Sequence, residues 1–519
     1  METTKPKTGI AGLKENFKQD FSSGFSVSLI ALPLCLGIAL ASGVPPLAGL
    51  ITAIVGGLFA SRISGTFVTI SGPAAGLIVV ILAGVESLGG AGAENGYAGY
   101  PHTLGAILIA GLIMTILGFL KVGKVGDFFP KPTVRGMLAA IGVIIMIKQI
   151  YPALGIASPK GSILEVAAHL PFALGETNVS AAVIAVVSAV VLVAYPKVNW
   201  KPIKIIPAPM WVMIISIIMG RFLSGSIDTV IMPHHLLGED GIAFPSFEKI
   251  GESAFWSAVI AIALVAGLES LLSAKAVDEL DPYHRKSNLD RDLISMGSGS
   301  SLAALFGGLP MISEIVRSSA NVSNGGKTQW ANFFHGLFLL IFLLVASAFI
   351  ELIPLSALAA MLVVTGWRLF APAEMKRLVA IGVMEFVVFL TTLLAVLATD
   401  LIIGIGIGIL ANYLILLFKG VAPKYFFSIA KSSENGSVSV QGALSFSNYL
   451  RLKKTLDQAF ESKDRLVLNV AGSTYIDHTT MVHLDHYQRR KNLENKTFKI
   501  EGMDALKAST NHEFSERKA

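Results

Sequence analysis

The sequence predicts a polytopic α-helical membrane protein of fourteen spans, followed by a small α/β domain toward its C-terminal end. Three observations carry this reading. Of the 519 residues, 53% are hydrophobic and only 15% charged, against about 25% charged in an ordinary soluble domain. Apolar runs of membrane-crossing length recur along the chain and have no polar face. After Phe418 the pattern changes to short alternating and amphipathic segments. A soluble enzyme with a large core fits poorly, because such a core helix would still show one polar stripe. The single cysteine, Cys35, excludes an intramolecular disulfide and a cysteine-based metal cluster. The net charge of +6 lies mostly in short loops, so it is a topology signal and not a nucleic-acid surface.

Lys5, Lys7, Lys14 and Lys18 precede an apolar run that starts near Phe21, continues through Ala41 and turns at Gly43-Val-Pro-Pro46. A signal peptide would have a shorter apolar region and a small-residue cleavage site, so this is a retained first span. The spans fall at 21–42, 46–62, 72–87, 103–120, 133–150, 179–195, 205–222, 254–274, 291–306, 313–323, 331–350, 354–368, 380–398 and 400–418. With residues 1–20 cytoplasmic, nearly every loop Lys and Arg lies inside. The outer loops hold only Lys160 and Lys249, and the loop at 223–253 is net acidic. The spans at 72–87 and 313–323 are unusually short, and each follows a break, Ser71-Gly-Pro73 or Gly307-Gly-Leu-Pro310. The charge asymmetry holds only if both cross. Each is third in a set of seven, and an odd number inverts the second set. Paired, interrupted spans in inverted halves point to a transporter's binding site. Each is expected as an extended stretch (Thr66–Ile70; Leu305–Leu309) leading into a half-helix that starts near mid-membrane.

In the C-terminal part, Ser437–Leu444 reads as a strand pair turning at Gly442. Tyr449–Ser462 reads as a helix, Arg465–Val470 as a strand, Thr480–Glu494 as a helix and Thr497–Gly502 as a strand. The expected organisation is a cytoplasmic N-terminus at 1–20, a transmembrane domain at 21–423, a linker at 424–436, the α/β domain at 437–510 and a polar tail at 511–519. The residues from Asp504 onward are expected to be partly disordered.

Several stretches, in order, resemble the SulP family of anion transporters over essentially the whole chain. They are Asp20 to Gly24 with Leu32-Pro33, Ser42-Gly-Val-Pro-Pro-Leu-Ala-Gly-Leu50, and Ile70-Ser-Gly-Pro-Ala-Ala75. Glu269-Ser-Leu-Leu-Ser273, Gly307-Gly-Leu-Pro310, Arg317-Ser-Ser-Ala-Asn321 and Gly325-Gly-Lys-Thr328 follow. Val467-Leu-Asn-Val470 with Tyr475-Ile-Asp477 and the helix after it resembles a STAS domain. The resemblance implies a seven-plus-seven inverted repeat. Spans 1–4 and 8–11 would form a core that rises and falls, elevator-like, against a gate of spans 5–7 and 12–14. The usual assembly is a homodimer. The family carries sulfate, bicarbonate, chloride and dicarboxylates, so the anion itself does not follow.

The half-helices are expected to point their N-termini at one another, where free N–H groups and dipole ends attract an anion. Gly72, Pro73, Ala74 and Ala75 would supply one side, and Met311, Ile312, Ser313 and Glu314 the other. The competing explanation is close helix packing, which also favours small residues. The resemblance places Arg317 near the anion; a structural ion pair is the alternative. Glu314 departs from the family, which often has a small residue there. It is expected either to switch with a proton, freeing Arg317 when protonated, or to pair with it permanently. The resemblance makes Glu269, with Ser273 one turn on, the cation-coupling position, for Na⁺ or H⁺; a carboxylate bonded to core backbone is the alternative. His335 is expected to be a bonded packing residue. Lys148 sits near a span end, where snorkelling is the default. In the STAS-like domain, Asp477, Thr479 and Thr480 stand where related domains are phosphorylated or bind nucleotides, and helix capping explains them equally. His478, His483 and His486 make no convincing metal set.

Together these imply secondary transport of a small inorganic anion, sulfate or bicarbonate, across a bacterial inner membrane, with both termini cytoplasmic. Beyond a coupling Na⁺ or H⁺, no cofactor or metal is expected, and no nucleic-acid partner. Two other readings stay open: a nucleobase-type proton symporter of the same fold, and a transport-incompetent sensor signalling through its STAS domain. An enzyme is not expected, because no nucleophile–base pair or metal-ligand set appears at membrane depth.

Overall fold

The computed structural model describes residues 5–127, 129–159, 161–204, 206–223, 227–233, 241–434, 436–494 and 496–519. The expectations placed on Lys160, on 224–226 and 234–240 of the 223–253 loop, and on Asn435 of the linker lie outside these residues. Each of the fourteen expected spans coincides with a helix. Eight are long and apolar enough to cross a membrane, from Gly9–Ala41 to Leu401–Phe418. Ala75–Ser87, Ala208–Phe222, Trp330–Val345 and Val383–Ala398 are shorter apolar helices. Leu289–Leu305 and Ile315–Ser323 complete the set. At 1.5 Å per residue, neither Ala75–Ser87 nor Ile315–Ser323 reaches across a hydrocarbon core of about 30 Å.

Two compact units make up the chain: residues 1–123 with 141–369, and residues 124–140 with 370–519. Within the first unit, aromatic residues four apart on two helices interlock. Phe17, Phe21 and Phe25 of Gly9–Ala41 meet Phe334, Phe338 and Phe342 of Trp330–Val345, with ring centroids 5.0–6.4 Å apart. Glycines let other backbones touch. A Cβ on Gly57 would lie 2.5 Å from Gly336 Cα, and one on Gly336 would lie 2.8 Å from Gly57 Cα.

The two breaks are the fold's central device. Ile70–Gly72 (β1) and Ile312–Glu314 (β2) pair antiparallel, with Ile70 opposite Glu314, Ser71 opposite Ser313 and Gly72 opposite Ile312. The expected extended stretches were therefore placed a few residues early. The helix Leu289–Leu305 runs to its last apolar residue, and Gly307 turns the chain at φ 76°. Two short helices of ten and eleven residues were not anticipated, nor was the single turn Lys201–Lys204. Ile163–Ala173 starts at a capping box formed by Ser162 and Glu165. Pro372–Ile381 follows Ala371, which stands at φ 44°.

In the second unit, a mixed sheet is built from β3 (Ala430–Glu434), β4 (Ser437–Leu444), β5 (Arg465–Ile476), β6 (Thr497–Glu501), β7 (Lys507–Ala508) and β8 (Arg517–Lys518). Strand β4 pairs parallel with β5, and β5 parallel with β6. The crossovers are the helices Tyr449–Glu461 and His478–Leu493. Val438 and Val440 of β4 and Leu466, Leu468 and Val470 of β5 alternate into the core with Leu452, Leu456 and Phe460. The expected strand pair at 437–444 is one strand: Gly442, at φ 85°, makes a bulge rather than a turn. The sheet also extends past both expected ends. β3 lies in the 424–436 segment, and β8, in the 511–519 tail, pairs with the end of β5. Tyr475 holds that tail by donating to Glu516 at 2.6 Å, and Lys419 pairs with the same carboxylate.

Gly336→Val is expected to be among the most damaging small substitutions in the membrane part. Two backbones must separate, an overpacking cost on the order of 1–3 kcal/mol. Thermal unfolding in detergent should show a fall of several degrees against wild type, and Gly406→Val, which meets no neighbour within 4 Å, should show none.

Candidate functional site

Strand geometry sorts the residues around β1 and β2 onto two faces. On one face, the Ser71 hydroxyl accepts from Asn332 Nδ2 at 3.1 Å, and Asn332 Oδ1 accepts the Ser71 N–H at 3.3 Å. The Ser313 hydroxyl donates to Asp292 at 2.9 Å, and Ser64 donates to the other oxygen of that carboxylate at 3.0 Å. Ser313 is therefore committed to the scaffold and does not present its hydroxyl to an anion.

On the other face sits Arg317, 1% exposed. Its guanidinium lies flat on β1: a Cβ at Gly72 would be 2.5 Å from Nη1. Nη2 donates to the Pro73 carbonyl and Nη1 to Cys35 Sγ at 3.7 Å. Nε lies 3.5 Å from Glu314 Oε2 and has no hydrogen-bond partner among the described residues. Arg317 thus starts on one half-helix and holds the entrance to the other. Two further residues of its helix act with it. The Ser318 hydroxyl accepts the Ile70 N–H at 2.9 Å, and Asn321 donates to the Val68 carbonyl at 2.7 Å. The Arg317-Ser-Ser-Ala-Asn321 stretch carried the resemblance, yet the roles of Ser318 and Asn321 were not expected; their polarity on a membrane helix was the available signal.

Glu314 is the N-cap of Ile315–Ser323. Its carboxylate accepts the Arg317 N–H at 2.6 Å. The side chain is 19% exposed. It therefore both caps the helix and pairs with the guanidinium. The first half-helix starts differently: Ala74 offers no side-chain cap. Instead Glu269, buried on Ser253–Leu280, presses on its first turn, so close that a Cβ on Gly76 would fall 1.7 Å from Oε1. Glu269 Oε2 and the neighbouring Ser270 hydroxyl have no hydrogen-bond partner among the described residues. Ser273, one turn on, is also buried. The expectation that Glu269 could be a carboxylate fully bonded to core backbone fails for Oε2. His335 likewise is buried with neither ring nitrogen bonded among the described residues, not the bonded packing residue expected.

A cavity of about 980 Å³ opens between the ends of Gly9–Ala41, Lys131–Ala153 and Leu355–Phe370. None of the expected site residues lines it. Lys148 does, paired with Glu86 of the first half-helix at 3.2 Å, so it is not simply snorkelling.

In the sheet domain, Asp477 caps His478–Leu493 by accepting the Thr480 N–H at 2.7 Å, and it accepts the Phe446 N–H at 2.6 Å. Thr479 and Thr480 are buried, and the Thr479 hydroxyl accepts the Lys131 N–H at 3.2 Å. Neither hydroxyl is presented to a kinase or nucleotide in this arrangement. Among the described residues no His, Cys, Asp and Glu group could hold a metal ion. Burial pushes the Asp477 carboxyl up to about 6 and the His478 imidazole down to about 4.

A membrane-spanning inverted repeat, with two half-helices meeting across a short strand pair, defines a secondary transporter. The chain belongs to the sulfate permease family, whose model matches residues 17–392. It is 27% identical over 512 residues to YvdB of Bacillus subtilis (strain 168), covering 95% of this chain and 92% of that one. It is 27% identical over 400 residues to the bicarbonate transporter BicA of Synechocystis sp. (strain ATCC 27184 / PCC 6803 / Kazusa), covering 77% and 70% of the two chains. The solved transmembrane domain of a cyanobacterial bicarbonate transporter BicA matches with a TM-score of 0.67 at 26% identity, over 75% of this chain and 98% of that one. The structure of SLC26A9 shares the fold, with a TM-score of 0.68 at 15% identity, over 94% of this chain and 84% of that one.

Gly72→Ala should displace the Arg317 guanidinium and sharply reduce uptake of the transported anion in proteoliposomes, with folding, read by size-exclusion profile, intact. In the sheet domain, Asp477 and His478 should oppose one another in acid. The fold keeps an extra proton on Asp477 between pH 3.8 and about 6, so that contribution falls as pH rises. It holds one proton fewer on His478 between about pH 4 and 6.5, so that contribution rises with pH. Relative to wild type, His478→Gln should stabilise the domain at pH 4.5 against pH 7. Asp477→Asn should do the reverse, each by on the order of 2 kcal/mol. Hydrogen exchange of β4 and β5 in the full-length protein measures both.

Proposed function

We propose that this chain is a secondary transporter of a small inorganic anion of the sulfate or bicarbonate class, driven by Na⁺ or H⁺. The observation that carries the reading is that a carboxylate stands at each half-helix entrance, Glu269 against Gly76 and Glu314 on the Arg317 N–H. These are the positive dipole ends that an anion would seek. An ionised carboxylate there occupies the anion's place and repels it. A cation that neutralises the carboxylate removes the repulsion and leaves Arg317 and the amides of Ala75 and Gly76 to hold the anion. Entry of the anion is thereby tied to entry of the cation, which is the logic of symport.

The binding residues in this reading are Gly72, Pro73, Ala74, Ala75 and Arg317, with Ile312 forming the opposing wall. Ser313 acts through Asp292 as a positioning residue. Glu269 with Ser273 takes the coupling cation: a buried carboxylate oxygen without a partner suits a proton, and with nearby hydroxyls it suits the hard cation Na⁺. Glu314 works as a proton switch, its cap and ion pair being the ionised state. The cavity walled by Lys148 and Glu86 serves as the vestibule on the side opposite residues 1–20. The sheet domain, beginning at β3, is read as a cytoplasmic STAS domain that regulates transport through packing. Its residues Asp477, Thr479 and Thr480 maintain the fold of that domain. The transporter works as a homodimer in the inner membrane, with both termini in the cytoplasm.

Uptake of radiolabelled sulfate and bicarbonate by purified protein in proteoliposomes, with Na⁺ or choline and across pH, tests this. Accumulation of neither anion above protein-free vesicles sinks the proposal. Glu314→Gln keeps an acceptor for the Arg317 N–H and removes the charge, so uptake should lose its pH dependence while the protein stays folded. Glu269→Ala should abolish cation-driven uptake. Arg317→Gln should weaken anion binding by roughly 10–100-fold, the loss of one charge-assisted contact.

A further inference from the structure

A second basic site lies apart from Arg317. A cavity of about 340 Å³ is lined by Arg62, Phe67, Arg285, Thr328, Gln329 and Trp330, with the N-terminal residues Thr8, Gly9 and Ile10 closing one side. The Trp330 indole N–H donates to the Gly9 carbonyl at 2.9 Å, which ties that segment over the cavity.

Both guanidiniums are held firmly, and both keep a spare donor. Arg285 is buried, 6% exposed. Its Nε and Nη2 grip Asp281 at 2.7 and 3.1 Å, and Nη2 also reaches the Lys327 carbonyl at 2.8 Å. Phe67 and Tyr283 pack on its faces, with Cζ 4.7 and 5.0 Å from the ring centroids. Nη1 is buried with no hydrogen-bond partner among the described residues. Arg62 stacks on Trp330, Cζ 3.5 Å from the centroid, and gives Nε to the Ser61 hydroxyl at 3.3 Å. Its Nη2 is also buried and unpartnered among the described residues. Stacking satisfies the face of a guanidinium, not its in-plane N–H groups.

The other polar groups at the cavity are already spent. Asp20 accepts from the Lys327 and Thr328 N–H groups at 2.7 and 3.1 Å, and from the Thr328 hydroxyl at 2.5 Å. Gln329 donates to the Ser64 and Thr66 carbonyls at 2.9 and 2.6 Å. Asp281 neutralises Arg285, and Arg62 has no carboxylate within 4.0 Å among the described residues. Neither Asp20 nor Asp281 lines the cavity, whose charged lining residues are Arg62 and Arg285, and the two unused donors come from opposite halves of the chain. Leaving buried charged donors unpaired is costly, because the water bonds they lose are not replaced. A bound oxyanion would remove that cost, and guanidinium pairs suit tetrahedral oxyanions in particular.

We infer that Arg62 and Arg285 form a second anion site, for a sulfate- or phosphate-class oxyanion, on the membrane face that carries residues 1–20. It is distinct from the transport site and does not depend on it. The oxyanion is either free in solution or the phosphoryl group of a lipid headgroup.

The test uses full-length protein carrying Arg317→Gln, so that anion binding at the proposed transport site is weakened and a response that depends on Arg62 stands apart from it. In detergent, sodium sulfate and sodium phosphate, against sodium chloride at equal ionic strength, should raise the thermal-unfolding midpoint saturably. Arg62→Gln should weaken the apparent affinity at least about tenfold. Arg62→Lys, which keeps the charge but not the fork, should fall between. In phosphatidylcholine nanodiscs, loss of the sulfate response on adding phosphatidylglycerol identifies a headgroup source, and an unchanged response identifies a free anion. If no anion and no anionic lipid produces a response that depends on Arg62, the site does not exist.

Discussion

Breaking a membrane helix at mid-depth strands backbone N–H and C=O groups where no lipid can bond them. The rest of this structure depends on how that cost is met, because it happens twice at one level. The solution is mutual. Each break bonds the other through β1 and β2, and the helix after the second break returns three side chains to the first: Arg317 to Pro73, Ser318 to Ile70 and Asn321 to Val68. One inverted half supplies what the other lacks. Arg317, proposed to bind the anion, is also part of the scaffold, so its removal would act on both.

That double duty separates the two half-helices chemically. The second is capped by its own Glu314, which consumes the N–H an anion would use and offsets the arginine. The first has no side-chain cap and is faced instead by Glu269, whose Oε2 has no partner among the described residues. The near-symmetric backbone therefore carries an asymmetric charge distribution. In the proposed mechanism an anion competes most directly with Glu269, whose Oε2 has no hydrogen-bond partner among the described residues, and Glu314 tunes that competition through Arg317. The same distribution explains why the guanidinium is so deeply buried: it is bracketed by a carbonyl, a thiol and a carboxylate, each removing part of the desolvation cost.

Much of this was legible in the residues. Apolar run length put every expected span on a helix, and two Gly/Pro breaks marked the half-helices. Pairing Glu314 with Arg317 followed from a spacing of three. What could not be read was pairing across the chain. Three-residue strands such as β1 and β2 carry no periodicity, and their bonding depends on residues some 240 positions away. Ser313 looked like a ligand because it stands at a break, but strand alternation turns it to Asp292, and alternation is invisible until the strand is known. The sheet domain failed at Gly442 for a related reason. A glycine at positive φ serves a bulge as well as a turn, and only the neighbouring strand decides. The tail folds because Tyr475 and Lys419 hold Glu516, a contact between distant polar residues that composition reads as disorder.

Arg317 and the Arg62–Arg285 pair show opposite uses of the same side chain. Arg317 gives Nη2 to Pro73 and Nη1 to Cys35, and its unpartnered Nε faces the Glu314 carboxylate, which stands where an anion would have to approach. Arg62 and Arg285 each retain a free N–H end beside a cavity, so they can bond an oxyanion directly. A transport site must release what it binds on each cycle, and a guanidinium already bonded to the protein favours weak, reversible holding. What distinguishes the two places is therefore what faces the spare donor: a carboxylate beside Arg317, and an open cavity beside Arg62 and Arg285.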